Sequence, residues 1–228
     1  MTALLRLRLR RVKMTAMTND PMTTMTNDDL TTAAHWLAER DEALDFVLKK
    51  YGPPPLWARE PGFASLVYII LEQQVSLASA RAAFTRLQAA SGTVTPANFL
   101  KISDDDLRSI GFSRQKTRYA RLLAEAVESG NFDLGNLTAL PDEAARDYLK
   151  QLTGIGDWTA DIYLTMCLLR PDILPKGDIA LLEAFRVLKN LPQRPPHDEF
   201  VSGTEHWRPW RSAGIRMLWH FYLCERRG

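Results

Sequence analysis

From Asn27 to the C-terminus, apolar residues recur every three or four positions, and no stretch alternates them. Leu30, Ala33, Ala34 and Leu37 set the pattern; Leu44, Val47, Leu48 and Tyr51 continue it. Residues three and four apart share one face of an α-helix, whereas a strand places every second residue on one face. No period-two run with hairpin turn residues is present, so a sheet is not expected. The interruptions carry helix start and stop chemistry. Gly52 and Pro53–Pro54–Pro55 close the first region. Thr95-Pro96 offers a capping hydroxyl with proline in the first turn. Ser103 with Asp106 reads as a capping box, and Ser113 caps the next helix. The pattern predicts helices over 63–73, 76–91, 113–130, 142–152, 157–170, 178–190 and 209–225. About ten short helices with short links imply a compact all-α fold.

Other bounds are broad. A chain of 228 residues can bury a core in one large domain or two small ones. The formal charge is only +2, from 29 basic and 27 acidic side chains, which excludes a histone-like polycation. A nucleic-acid partner would have to be held by locally placed positive charge and backbone donors. Cys167 and Cys224 offer neither metal-ligand spacing nor a disulfide framework, which fits a reducing compartment. No apolar run approaches the roughly 18 residues that cross a bilayer, so no membrane partner is expected. Residues 1–28 differ from the rest: Met1, Met14, Met17, Met22 and Met25 lie among repeated threonines with the basic run Arg6, Arg8, Arg10, Arg11 and Lys13. They read as a disordered leader, with an Arg-rich targeting peptide as the alternative.

The segment Leu152-Thr153-Gly154-Ile155-Gly156-Asp157-Trp158-Thr159-Ala160 places two glycines around one apolar residue, between two helical patterns. Glycine permits positive φ and leaves no Cβ to hold a phosphate away. Ile155 can pin the turn to the core, and the next helix then presents free N–H groups suited to an anion. Alone, the string fits equally a tight αα-hairpin without ligand. In Pro175-Lys176-Gly177-Asp178-Ile179, a shaped loop delivers an aspartate to a helix start. An aspartate there is most simply an N-cap, stabilising by about 1 kcal/mol. Trp158, Tyr163, Trp207 and Trp210 are commonly core residues, although aromatic faces also hold a flipped base. Gln73-Gln74 ends an apolar helix before Ser76 opens another; the bland reading is a polar helix end, the functional one contact with minor-groove base edges. Arg108, Arg114, Lys116 and Arg118 cluster near Gly111 and read as a solvated face with accessory phosphate contact at most.

In order and spacing, these strings resemble the helix-hairpin-helix (HhH-GPD) DNA glycosylase superfamily, of the 3-methyladenine DNA glycosylase II type. The resemblance covers roughly residue 32 to the C-terminus. It implies two helical lobes: a helical barrel over 62–170 holding the hairpin, and a second lobe from 29–61 plus 171–228, with Asp178 in the cleft between. Asp178 matches the family's essential aspartate, two dozen residues past Gly154. The implied activity is base-excision hydrolysis of the N-glycosidic bond of alkylated purines such as 3-methyladenine and 7-methylguanine, after base flipping. Trp158 and Trp210 match pocket tryptophans, with Tyr163 nearby; the family's pocket tyrosine is here Ile162, which leaves the target base open to deaminated purines as well. Trp158 also stands where strand-nicking relatives carry lysine, so the resemblance implies a monofunctional enzyme. Gly154, Ile155, Gly156 and Thr159 match DNA-holding positions, and Gln74 matches the wedge beside Gln73. Lys176 is read as a phosphate contact. The carbonyls of Lys150, Leu152 and Ile155 match a Na or K site, with no other cofactor required. Double-stranded DNA with a damaged base is the expected partner of a monomer. The expected location is cytoplasmic or nucleoid-associated if bacterial, nuclear if eukaryotic. A non-catalytic helix-hairpin-helix DNA-binding module is the competing reading.

Overall fold

The computed structural model describes residues 24–226. Among the described residues there are twelve α-helices, two 3-10 segments and no strand. In chain order they are α1 Asn27–Ala38, α2 Glu42–Tyr51, α3 Phe63–Glu72, α4 Leu77–Ser91, α5 Pro96–Leu100, α6 Asp104–Ile110, α7 Arg114–Glu128, α8 Asp142–Lys150, α9 Asp157–Met166, α10 Ile179–Leu188, α11 His197–Gly203 and α12 Arg211–Glu225. The 3-10 segments are Leu134–Ala139 and Glu205–Trp207. The all-α class expected from periodicity is the class observed.

Local caps set most helix starts. Ser76, Thr95, Ser103 and Ser113 each accept an N–H from the third residue of the helix that follows. Pro96 occupies the first turn of α5, where its missing N–H costs nothing. The expected leader lies outside the described residues up to position 23, but its last residues are ordered. The Met25 N–H donates to Leu169 O at 2.9 Å, and the Met25 side chain is buried. Thr26 and Asp29 form a reciprocal capping box for α1.

The chain divides into two compact units, Ala58–Leu168 and the joined segments Met1–Trp57 and Leu169–Gly228. In the first, α3 is the apolar centre. Leu66, Val67, Ile69 and Ile70 are fully buried, and the helix packs against α4, α7 and α9. Each such side chain contributes about 1.5–3 kcal/mol of hydrophobic stabilisation. In the second unit, α12 is the interior helix, packed against α10, α2 and α1. It is buried without a break from Ser212 to Trp219. Arg216 within that run is satisfied by carbonyls, its Nε donating to Leu56 O and its Nη1 to Ser212 O, each at 2.9 Å.

Two departures from the periodic pattern are instructive. Helix α9 stops at Met166, four residues short of the predicted end, because Leu169 adopts left-handed backbone (φ 54). The Leu168 N–H then closes the helix onto Tyr163 O at 3.1 Å. Helix α11 and the 3-10 segments span too few residues to display a period.

Candidate functional site

The hairpin between α8 and α9 is built from the Ala58–Leu168 unit alone. Its helices are clamped by Arg146, whose Nε lies 2.7 Å from the buried Asp161 carboxylate, and by Lys150, whose Nζ lies 2.6 Å from Asp157. Asp157 holds the Lys150 ammonium above its ordinary pKa. Leu152 and Ile155 turn inward and are buried, and the Ile155 N–H donates to Leu152 O at 3.1 Å. The two glycines meet different demands. Gly154 has φ +94, and a Cβ there would sit 2.2 Å from Cγ of Tyr119 on α7. Gly156 has φ −98, an ordinary value, and a Cβ there would meet nothing within 4 Å. Gly156 is the N-cap of α9 and supplies no side-chain cap to that helix start. An uncapped first turn presents N–H donors and partial positive charge.

The α3–α4 turn is tied to this hairpin. The Gln73 amide Nε2 donates to Gly154 O at 3.0 Å and to Thr159 Oγ1 at 2.9 Å. Thr159 is buried. Gln73 and Thr159, both expected at the DNA, are thus hydrogen-bonded to each other, with Gln73 half-buried. The turn's other root is Glu72, gripped by Arg59 through two 2.8 Å bonds while the guanidinium stacks over Tyr68. Gln73 has φ −57 and ψ 121, and Gln74 has φ +56, close to the central pair of a type II turn. Glycine or asparagine suits that second position better, so the exposed Gln74 is held in a costly conformation. Exposed Val75 and Leu77 flank it.

On α9, Trp158 is half-buried and keeps accessible surface, while Ile162 and Tyr163 are buried. The Tyr163 hydroxyl accepts the Gly62 N–H at 2.9 Å, and burial pushes its phenol well above the ordinary range.

The loop leading to Asp178 belongs to the other unit. Its first residues are pinned by the start of α12: the Ile173 N–H donates to Ser212 Oγ at 2.9 Å and the Ser212 N–H to Pro171 O at 3.0 Å. Asp172 accepts Arg211 Nε at 2.8 Å and Arg208 Nη1 at 2.7 Å. Ile173 and Pro175 are buried, Lys176 is exposed, and exposed Gly177 turns the chain at φ +77. Asp178 then caps α10, its Oδ1 accepting the Leu181 N–H at 3.0 Å. The same oxygen faces the Trp219 indole N–H at 3.4 Å. Asp178 as a whole is 9% exposed, and its carboxylate is fixed by these donors. Trp210 is 2% exposed, in the core of its own unit. Arg211, Ser212 and Trp219 carry roles that the sequence did not disclose; the only signal was that the first two adjoin Trp210.

The HhH-GPD superfamily base excision DNA repair protein model matches residues 67–209. The chain belongs to this superfamily. The HhH-GPD match spans Gln73, the hairpin and Asp178, and ends just before Trp210. Relatives include DNA-3-methyladenine glycosylase 1 of Schizosaccharomyces pombe, 28% identical over 187 residues, covering 80% of this chain and 82% of the relative. A DNA-3-methyladenine glycosylase of Bacillus subtilis is 27% identical over 169 residues, covering 69% of this chain and 56% of the relative. The structure of the Schizosaccharomyces pombe 3-methyladenine DNA glycosylase in complex with abasic DNA superposes with a TM-score of 0.73 at 26% identity, covering 82% of this chain and 95% of that one. No helix among the described residues is long and apolar enough to cross a membrane.

Proposed function

We propose that this chain is a monofunctional DNA glycosylase of the 3-methyladenine type, with Asp178 as its catalytic carboxylate. The observation that carries the reading is the mounting of Asp178: a nearly buried carboxylate held by a backbone N–H and an indole N–H, at the end of a loop anchored by Arg211 and Ser212. A helix cap alone needs neither the indole nor the anchored loop. The relatives named for 3-methyladenine supply the substrate class.

The chemistry suits one carboxylate. Alkylation at N3 or N7 makes a purine cationic and a good leaving group, so little acid catalysis is needed. As the C1′–N bond breaks, positive charge grows on the deoxyribose. Asp178 stabilises that charge and orients the water whose oxygen bonds to C1′, accepting its proton. A fixed anion in a site of low exposure acts without reorganising at the moment of reaction. The exposed face of Trp158 suits a cationic base. At the hairpin, Gly156 leaves room for a DNA phosphate to reach the α9 N–H groups, and the protein's own packing gives no other reason for glycine there.

The same reading assigns a Na or K ion to the carbonyls of Lys150, Leu152 and Ile155, of which Leu152 O also accepts the Ile155 N–H. The hairpin's backbone hydrogen bonds (Leu152 N to Leu149 O, Ile155 N to Leu152 O, Ala160 N to Gly156 O) use neither the Lys150 nor the Ile155 oxygen. Such an ion would add positive charge beside the phosphate. Exposed Lys176 suits a further phosphate contact.

The decisive experiment is release of 3-methyladenine and 7-methylguanine from methylated duplex DNA, within a panel that includes deaminated purines. Asp178→Asn should abolish release while leaving binding to an abasic-site duplex within a few-fold of wild type. No release of any base by the wild-type protein would refute the enzyme reading. Borohydride trapping should yield no covalent adduct, because Trp158 stands where strand-nicking members carry lysine; a robust adduct would refute monofunctionality.

A further inference from the structure

Outside the hairpin, turn and loop, one cavity of the Ala58–Leu168 unit has a lining of distinct chemistry. Helices α6 and α7 border a groove of about 500 Å³. It carries four guanidinium groups, Arg108, Arg114, Arg118 and Arg121, against two carboxylates, Asp104 and Glu125. Two of the arginines are engaged internally. Arg121 donates to Asp104 at 2.7 Å and to Ile102 O at 2.6 Å, and Arg108 donates to Asp105 at 3.0 Å. Arg114 and Arg118 enter no ion pair among the described residues. They sit four apart on one helix, an arrangement of like charges that destabilises a helix by a few tenths of a kcal/mol. Glu125 shares their stripe but lies roughly 10 Å along the axis from Arg118 and roughly 16 Å from Arg114, too far to neutralise either. The fold therefore gains nothing evident from these two cations, and they face a groove with room for a ligand.

The groove also has a fixed relation to the hairpin. Tyr119, the residue after Arg118, is the ring on which Gly154 packs. Arg118 and Arg114 precede Tyr119 by one and five residues, about 100° and 140° around the helix, so the arginine stripe and the hairpin occupy different faces of α7, about one helix diameter (roughly 10–12 Å) apart. A DNA strand advances about 3.4 Å per nucleotide along the duplex axis, so one strand can reach both places within a few nucleotides.

We propose that this groove is a second phosphate-binding site, occupied by a backbone phosphate of the strand held at the hairpin, a few nucleotides away. The proposal rests on the DNA-binding reading above. The recognised chemistry is a phosphate ester, so a free nucleotide is the other possible source of the same group.

The test uses the full chain, wild type and the exposed-site double variant Arg114→Gln/Arg118→Gln. Affinity for an abasic-site duplex is measured against salt, and single-turnover excision at saturating enzyme is measured alongside. Losing one or two phosphate contacts should lower the slope of log affinity against log salt by about 1–2, and weaken binding roughly 5- to 30-fold near 0.15 M salt. Excision at saturation should be unchanged. Shortening the duplex on one side of the lesion should cost wild type the same affinity and cost the double variant none. An unchanged slope, or a loss independent of duplex length, overturns the proposal while excision still stands. Saturable binding of adenosine monophosphate at the groove, lost in the double variant while DNA affinity is unaffected, assigns the site to a free nucleotide and also overturns it. If wild type neither binds the duplex nor excises a base, the glycosylase reading itself has failed.

Discussion

Substituting each hairpin glycine by alanine separates what the fold requires from what the DNA requires. At Gly154, φ +94 imposes about 1–2 kcal/mol on any residue with a Cβ. The new methyl would also lie 2.2–2.7 Å from three ring carbons of Tyr119. A ring cannot yield as the end of a flexible chain does, and overpacking of this kind costs about 1–3 kcal/mol. Gly154→Ala should therefore lose about 2–5 kcal/mol, or roughly 5–20 °C in Tm for a chain of this size. In a Tyr119→Ala background the clash is gone and only the backbone cost, about 1–2 kcal/mol, should remain. Gly156→Ala meets neither problem. Its φ of −98 suits alanine, no atom lies within 4 Å, and the poorer N-cap costs under about 1 kcal/mol. Its effect should fall on DNA: losing a phosphate–N–H bond should weaken binding about tenfold or more. Urea unfolding gives the first quantity and titration of an abasic-site duplex the second. Gly156→Ala that unfolds as readily as Gly154→Ala, or binds DNA like wild type, would refute this division of roles.

Two further outcomes follow from side-chain networks. Gln73→Leu removes both bonds to the hairpin and should slow single-turnover excision about tenfold by misplacing the Gln74 turn. Affinity for undamaged duplex should change less than twofold; equal losses in both would make Gln73 only a stabilising brace. Asp41 is a buried carboxylate. Burial alone would raise its pKa, but bonds from Lys189, the Trp207 indole and His206, with the Lys189 charge, hold it below the usual 3.8. A depressed folded-state pKa means that its stabilising contribution is fully present above about pH 4 and is lost as pH falls through the folded value. Acid unfolding should begin below pH 4 and be less steep in Asp41→Asn; identical acid profiles would count against the network.

Which parts of this molecule could be read from sequence depended on the range of the interaction involved. The caps at Thr95, Ser103, Ser113 and Asp178 were legible because a cap and its N–H are at most three residues apart. The all-α class was legible because periodicity repeats along each helix. Partners across the chain were not. Periodicity marks the last helix, but it cannot say that the Trp219 indole N–H meets Asp178, or that Arg211 and Ser212 hold the loop before it. Gln73 shows the same limit: the polar pair was conspicuous, yet only the fold reveals that its amide is committed to Gly154 and Thr159. The two glycines carry the point furthest. In sequence they are the same letter flanking Ile155, with one shared explanation. In the structure Gly154 is required by a ring from a helix more than thirty residues earlier, whereas Gly156 borders open space and answers only a mild N-cap preference. Open space at a helix start without a side-chain cap points outward, to the partner. That is why Gly156, rather than the more constrained Gly154, is the stronger sign that this hairpin was shaped to hold DNA.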